Sequence, residues 1–307
     1  MEKPKIVVIC GPTASGKSTA ALELAQHFGA EIINADSMQV YRYMDIGTAK
    51  PSRDERRLVR HHLIDILYPD EEFSAALFRE EARQAITEVN ARGKKAMVVG
   101  GTGLYIKVLT AGLIRGGEVD PAIRSRLQAE TRDKGREGIY THLQQVDPAT
   151  AARLHPHDTY RIVRALEVYE RTGRPISALR QRHLFQEEPY EALKIGLMPE
   201  REDLYQRIDA RVDAMIRQGF REEVQRLVEL GYAPFLKAMQ SLGYKQMSAH
   251  LRKEYDLAEA IRLIKRDTKR YAKRQITWFK ADTKIHWVTY PHDRDAVFRM
   301  IEGFSRN

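Results

Sequence analysis

Near its start the chain reads Gly11-Pro12-Thr13-Ala14-Ser15-Gly16-Lys17-Ser18-Thr19, a run that combines the residue types able to hold a phosphate. The spacing fits G-x-x-x-x-G-K-[ST], in which backbone N–H groups converge on phosphate oxygens and a following helix N-terminus adds positive potential. Lys17 supplies a cation for those oxygens, and the Ser18 hydroxyl is a candidate Mg2+ ligand. A second reactive group is Asp36, just beyond Glu31-Ile32-Ile33-Asn34-Ala35, a short second strand. Its carboxylate could hold Mg2+ indirectly, or act as general base for an amine or hydroxyl that attacks a phosphorylated compound. His61-His62 has no third ligand at a useful spacing, so packing or hydrogen bonding is its expected role rather than metal binding.

These groups need a frame, and the flanking residues provide one. The phosphate loop follows Ile6-Val7-Val8-Ile9-Cys10, a strand, and precedes a helix of good formers from Thr19 to Phe28. A helix pattern covers 74–92, and Lys95-Ala96-Met97-Val98-Val99 is a third strand, broken by Gly100-Gly101-Thr102-Gly103. Strand–helix alternation around a phosphate loop implies an α/β fold, a P-loop-type doubly wound parallel sheet whose ligands sit beyond the carboxyl ends of its strands. That places Lys17, Asp36 and the turn at Thr102 around one crevice.

After the glycine-rich link from Gly112 to Gly117 the character changes, with helix patterns over 120–132, 139–145 and 160–171. We expect a core formed by residues 1–115 and 194–307 and a mostly helical insertion domain over 116–193. Lys194-Ile195-Gly196-Leu197 reads as a returning strand, helices follow to Phe279, and a strand at 284–288 and a helix near 296–301 close the pattern.

Composition bounds the partners. The 307 residues carry a formal net charge of +9 and one cysteine, Cys10. A single cysteine excludes disulfides within the chain and cysteine-based zinc sites. No apolar run is long enough to span a membrane, and the N-terminus runs straight into a strand, so neither a membrane segment nor a removable signal peptide is expected. The expected compartment is the cytoplasm. Basic charge concentrates between Arg262 and Lys284, where nine Lys and Arg face only Asp267 and Asp282. Lys265, Lys269 and Lys273 are spaced i, i+4, as are Arg266, Arg270 and Arg274, which makes two adjacent basic rows on one helix. A solvated face is the alternative; the lack of interleaved acids favours nucleic acid, with Lys273, Arg274 and Gln275 as candidate contacts. Ile261, Ile264, Thr268, Tyr271 and Ile276 can face inward, and Tyr271, Trp278 and Phe279 read as core or as surfaces for stacked bases.

Several stretches together carry a resemblance. They include the phosphate loop, Ala35-Asp36-Ser37-Met38-Gln39-Val40-Tyr41, Met44-Asp45-Ile46-Gly47-Thr48-Ala49-Lys50-Pro51 and His61-His62-Leu63-Ile64-Asp65. Further along stand Val99-Gly100-Gly101-Thr102-Gly103-Leu104-Tyr105, Arg161-Ile162-Val163-Arg164-Ala165-Leu166-Glu167-Val168, Leu242-Gly243-Tyr244-Lys245-Gln246 and Lys273-Arg274-Gln275-Ile276-Thr277-Trp278-Phe279. Over nearly its full length the chain resembles the tRNA dimethylallyltransferases, also called tRNA isopentenyltransferases. The resemblance implies transfer of a dimethylallyl group from dimethylallyl diphosphate to the exocyclic amine of the adenosine 3′ to the anticodon, in tRNAs reading codons that begin with U. The loop from Gly11 to Ser18 would then hold the donor diphosphate with Mg2+, and Asp36 would serve as base. Thr102 and Arg211 would contact the diphosphate or bridging oxygen, while Asp36, Ser37, Met38 and Gln39, with Thr102, would bind the extruded adenosine. Arg124 and the run Tyr160, Arg161, Ile162, Val163 and Arg164 would grip the anticodon arm. Met38 and Tyr43 stand where the family often has Arg and Gly, so a phosphate contact through an arginine at the first position is absent here.

Other readings remain open from the residues alone. A small-molecule kinase would use the insertion as a lid, with Arg161 and Arg164 on ATP, but leaves the basic helix without a task. A prenyltransferase acting on free adenine nucleotides needs neither the insertion nor that helix. A non-catalytic RNA-binding module does not need Lys17, Ser18 and Asp36 together. One active site per chain suffices, so a monomer is expected.

Overall fold

The computed structural model describes residues 3–113, 120–183 and 187–306. Met1, Glu2 and, in the glycine-rich link, Gly116 and Gly117 lie outside the described residues. Two compact units emerge: Met1–Thr110 with Pro189–Asn307, and Ala111–Glu188.

The first unit opens with β1 (Lys5–Cys10), α1 (Lys17–Phe28), β2 (Ala30–Asn34), α2 (Arg53–Leu58) and the two-residue β3 (His61–His62). It continues through α3 (Ala75–Ala91), β4 (Lys95–Gly100) and α4 (Gly103–Ala111). The second unit is helical: α5 (Pro121–Val146), α6 (Pro148–Ala151), α7 (Thr159–Thr172) and α8 (Ile176–His183). The chain then returns to the first unit with β5 (Glu191–Leu197), α9 (Arg201–Arg217), α10 (Phe220–Glu229) and α11 (Tyr244–Leu251). The long α12 (Leu257–Lys280), β6 (Ile285–Val288) and α13 (Arg294–Arg306) complete it.

The six strands form one parallel sheet in the order β3-β2-β4-β1-β5-β6. β1 lies between β4 and β5, with Cys10 in register with Gly100 and Gly196. Ile6 to Cys10 are all buried, which explains why β1 reads as an unbroken apolar run: helices cover both faces of a parallel sheet, so neither face has a polar set. On one side of the sheet α1 packs Ala20, Ala21 and Leu24 against Val7, Ile9 and Ile32. The helix ends at Gly29, whose left-handed φ of 61° lets its N–H reach Ala25 O.

The second unit has its own core of Leu127, Ile139, Leu143, Ile162 and Leu166. The two helices expected over 120–132 and 139–145 run together as α5, broken at Gly135 by a φ of 69° and a ψ of −178°. Asp147 ties this unit internally, accepting from the Thr150 and Ser177 N–H groups.

Five elements escaped the sequence reading: α2, β3, α4, α6 and α8. β3 is held by pairing with Ile32 and Ile33, and two histidines have no periodicity to detect. α4 starts at Gly103, a residue that reads as a breaker. The aromatics of α12 divide: Phe279 is core, but Trp278 is 44 % exposed. Its ring lies over Gly103, where an added Cβ would come within 2.1 Å of it.

Candidate active site

The phosphate loop takes its shape from local backbone rules. Gly11 has φ 147°, and a Cβ there would lie 2.6 Å from Leu197 O, so only glycine fits. Gly16, with φ 87°, caps α1 in the left-handed region. The chain thus turns sharply off β1 and presents the start of α1 to a cavity lined by Thr13, Lys17 and Ser18. Lys17 folds back on its own loop, its Nζ donating to Pro12 O at 3.1 Å. Burial, with the Arg211 charge acting in the same direction, lowers its ammonium to about 8; Asp36 opposes that shift. Lys17 is therefore poised to gain from an arriving anion.

Asp36, Gln39, Arg211, Tyr271 and Gln275 line the same cavity. Asp36 follows β2, and its Oδ1 accepts the Met38 N–H at 2.8 Å, an Asx turn that fixes the carboxylate. The turn after β4 packs against it: Gly100 has no room for a Cβ, which would meet Ala35 O at 2.1 Å. Thr102 donates its N–H to Ala35 O at 3.2 Å, and its Oγ1 accepts the Ser37 N–H at 3.1 Å. Arg211 comes from α9, a helix on which a surface arginine is the default expectation; here burial depresses its pKa and Asp36 counteracts. Burial and then the Asp36 charge push the Tyr271 hydroxyl well above its ordinary value. A carboxylate, two cations and the glycine-rich loop thus share one chamber.

A second stretch of wall runs from Gln39 to Pro51. Gln39 Nε2 donates to Thr48 O and Ala49 O, both at 3.2 Å. Glu223 on α10 accepts the N–H groups of Asp45, Ile46 and Gly47 at 2.9, 2.7 and 3.1 Å, and the Tyr244 hydroxyl at 2.6 Å. Gly47 is pressed between Phe220 and Tyr244, where a Cβ would approach within 2.3 Å. Lys50 is nearly buried and bridges Asp45 and Asp65, both at 2.6 Å. Burial works to raise the Asp65 carboxyl, but hydrogen bonds from Lys50 and Arg56 hold it below the usual range. Tyr43 keeps a left-handed φ of 66° and lies 45 % exposed beside Tyr68 and Tyr232.

The fit of Mg2+ can be judged from the donors. Among the described residues no group of three or more His, Cys, Asp or Glu could hold a metal ion. Ser18 is exposed on the cavity, a single hard oxygen donor at the head of the phosphate loop. That is the donor set of an ion that arrives with a diphosphate and completes its shell from phosphate oxygens and water.

The basic helix differs from its appearance in sequence. Acids on α9 neutralise two of the three members of one row, Lys265 pairing with Asp213 and Lys269 with Asp209, each at 2.7 Å. Arg262 pairs with Glu259 and Arg266 with Asp267. Lys273 and Arg274 remain exposed, with Arg274 over the Tyr271 ring. Gln275, grouped with them by sequence, points inward and is only 6 % exposed. In the helical unit Tyr160 is 71 % exposed, and Arg161 pairs with the α7 cap Asp158 at 2.8 Å. Ile162 and Val163 are core, and the Ile162 N–H is already given to Asp158 O, so neither offers a side chain to a ligand. Arg124 and Arg164 converge on Glu167, a buried carboxylate that needs such partners. Glu223 and the inward turn of Gln275 had no signal in the sequence, because each depends on which strand ends and loops lie beside its helix.

The comparisons with known proteins agree with this geometry. The family model described as IPP transferase matches residues 39–282. The tRNA dimethylallyltransferase of Geobacter metallireducens is 54 % identical over 303 residues, covering 99 % of this chain and 98 % of the relative. Among solved structures, the full-length tRNA isopentenylpyrophosphate transferase of Bacillus halodurans has a TM-score of 0.73 at 38 % identity, covering 98 % and 97 % of the two chains. A eukaryotic dimethylallyltransferase acting on tRNA has a TM-score of 0.82 at 31 % identity, over 97 % of this chain and 78 % of its own. Fold and neighbours together define a group-transferring enzyme on a P-loop-type α/β core. Within that class, the chain belongs to the IPP transferase family, the tRNA-modifying prenyltransferases.

Proposed function

We propose that this enzyme transfers a dimethylallyl group from dimethylallyl diphosphate to N6 of the adenosine 3′-adjacent to the anticodon, in tRNAs reading codons that begin with U. The single observation that carries the reading is the sharing of one cavity by Asp36, Lys17 and Arg211 at the phosphate loop. The amine nitrogen forms a bond to the first carbon of the dimethylallyl group as the bond from that carbon to the bridging oxygen breaks. The electron pair leaves with the diphosphate, and the N6 proton passes to the Asp36 carboxylate. Loop N–H groups, Lys17 and Arg211 bind the charge that grows on the leaving group, and Thr102 supports the bridging oxygen. Mg2+ bound through Ser18 and the diphosphate would neutralise part of that charge.

The adenine must leave its stack to reach a buried donor, and Asp36 to Gln39 would receive it. Lys273 and Arg274 contact RNA phosphates on the core. On the helical unit, Tyr160 and Arg161 and, if Glu167 yields them, Arg124 and Arg164 contact the anticodon arm. All reactive groups come from one chain, which supports action as a monomer. Among the described residues no helix is long and apolar enough to cross a membrane, and we assign the reaction to the cytoplasm.

Labelled dimethylallyl diphosphate, Mg2+ and an unmodified anticodon stem-loop test the proposal. Label should enter the RNA, and Asp36→Ala should lower turnover by about 10²- to 10⁴-fold while RNA binding persists. Absence of transfer, with phosphate released from ATP to a small acceptor, would point to a kinase instead.

A further inference from the structure

Gln275 is a buried polar side chain of the basic helix whose partners lie outside that helix. Its Oε1 accepts the Thr13 N–H at 2.8 Å, across 262 residues of sequence. Its Nε2 donates to Gly101 O at 2.8 Å, across 174 residues. One amide therefore joins the phosphate loop to the turn that carries Thr102. The fit is close: a Cβ on Gly101 would lie 2.4 Å from Gln275 Nε2. One helical turn further on, Trp278 occupies the Cβ space of Gly103. Two side chains of α12 thus clamp the backbone on either side of Thr102, whose own hydroxyl accepts the N–H next to Asp36.

The chemistry of the two bonds restricts the residue. Thr13 offers a donor and Gly101 an acceptor, so the bridging group needs one acceptor and one donor a short distance apart. A glutamate keeps the acceptor for Thr13 but sets an anionic oxygen against Gly101 O. A methionine fills the same space and makes neither bond.

We propose that Gln275 is a positioning residue that fixes the distance between the diphosphate loop and the Thr102–Asp36 turn, and not an RNA contact. This inference rests on the proposed prenyl transfer only for its turnover readout. Gln275 does not touch the reacting atoms; it acts through Thr13 and Gly101.

The test separates the two bonds by steady-state kinetics, with RNA affinity and pyrophosphate affinity measured directly. In Gln275→Met, the KM for dimethylallyl diphosphate should rise and kcat should fall, each by about tenfold, the effect of losing one buried hydrogen bond. The Kd for the stem-loop should stay within about twofold, because Lys273 and Arg274 are untouched. In Gln275→Glu the fall in kcat should persist while the donor KM moves less, since only the Gly101 bond is lost. Pyrophosphate with Mg2+ should bind about tenfold more weakly to Gln275→Met than to the unaltered enzyme, whatever the reaction proves to be. That arm stands even if no prenyl transfer occurs, and its failure would be distinct from failure of the functional reading. Unchanged donor KM and pyrophosphate affinity in Gln275→Met, or a stem-loop Kd raised tenfold in both variants, would overturn the proposal.

Discussion

Two parts of the cavity wall are built by different means. Thr13 to Ser18 sit where they do because Gly11 and Gly16 permit a turn that no other residue allows, directly after a buried strand. The stretch from Gln39 to Lys50 has no such local instruction. Glu223, 178 residues away from Asp45, gathers three of its N–H groups, and Lys50 ties it to Asp45 within the stretch and to Asp65 beyond it. A loop of the first kind is specified by its own residues and loses function when one reactive group is removed. A loop of the second kind is specified by its neighbours, so its loss appears first in stability and only then in catalysis.

The sharpest way to probe the local wall is Lys17→Ala. Removing a preorganised cation from a developing diphosphate should lower kcat/KM by about 10²- to 10³-fold, with the unfolding midpoint little changed or raised, since a buried lysine at about 8 is itself costly. On the other wall, Glu223→Ala should cost about 2 to 3 kcal/mol, read as a lower urea midpoint, because three N–H groups and the Tyr244 hydroxyl lose a shared acceptor. Pyrophosphate affinity should barely move in that variant. A weakened affinity comparable to that of Lys17→Ala would show that the two walls are not separately held.

A pH series sharpens the same contrast. The Lys17 pKa is lowered in the fold, so its ammonium is lost from the empty site as pH rises through about 8, while an unfolded chain keeps the proton until near 10.5. Pyrophosphate affinity should therefore fall by up to about tenfold per pH unit above that point, and the ligand-free protein should gain stability over the same window. In Lys17→Arg, whose charge persists, the part of the slope due to Lys17 should vanish. An identical slope in both proteins would place the titration on another group.

The smallest effects concern the basic helix. Replacing Lys273 and Arg274 with alanine should reduce the salt dependence of stem-loop binding by about two in slope. Lys265→Met and Lys269→Met, whose ammonium groups already face Asp213 and Asp209, should change that slope less and stability by no more than about 1 kcal/mol each. Equal slopes for the two pairs would mean that the α9 acids do not neutralise the helix in solution.

The frame was legible to the extent that it is local. β1, the glycine turn and α1 follow from an apolar run, two obligate glycines and good helix formers, and the long α12 follows from its periodicity. β3 and α4 were not legible, one being two residues held only by its neighbour strand and the other starting on glycine. The phosphate loop, Asp36 and Thr102 could be named as candidates because their chemistry is carried by residue type next to a strand end.

The sequence by itself determined a candidate phosphate loop, the parallel sheet around it and, through motifs spread along the chain, the family. Backbone conformation at glycine and the burial of apolar runs are short-range effects, written in consecutive residues. Only the tertiary structure decided that acids of α9 cancel Lys265 and Lys269, and that Gln275 leaves the basic face to join Thr13 with Gly101. Charge and hydrogen bonding depend on which groups meet across the packed helices and strands, and that is a property of distances in space rather than of order along the chain.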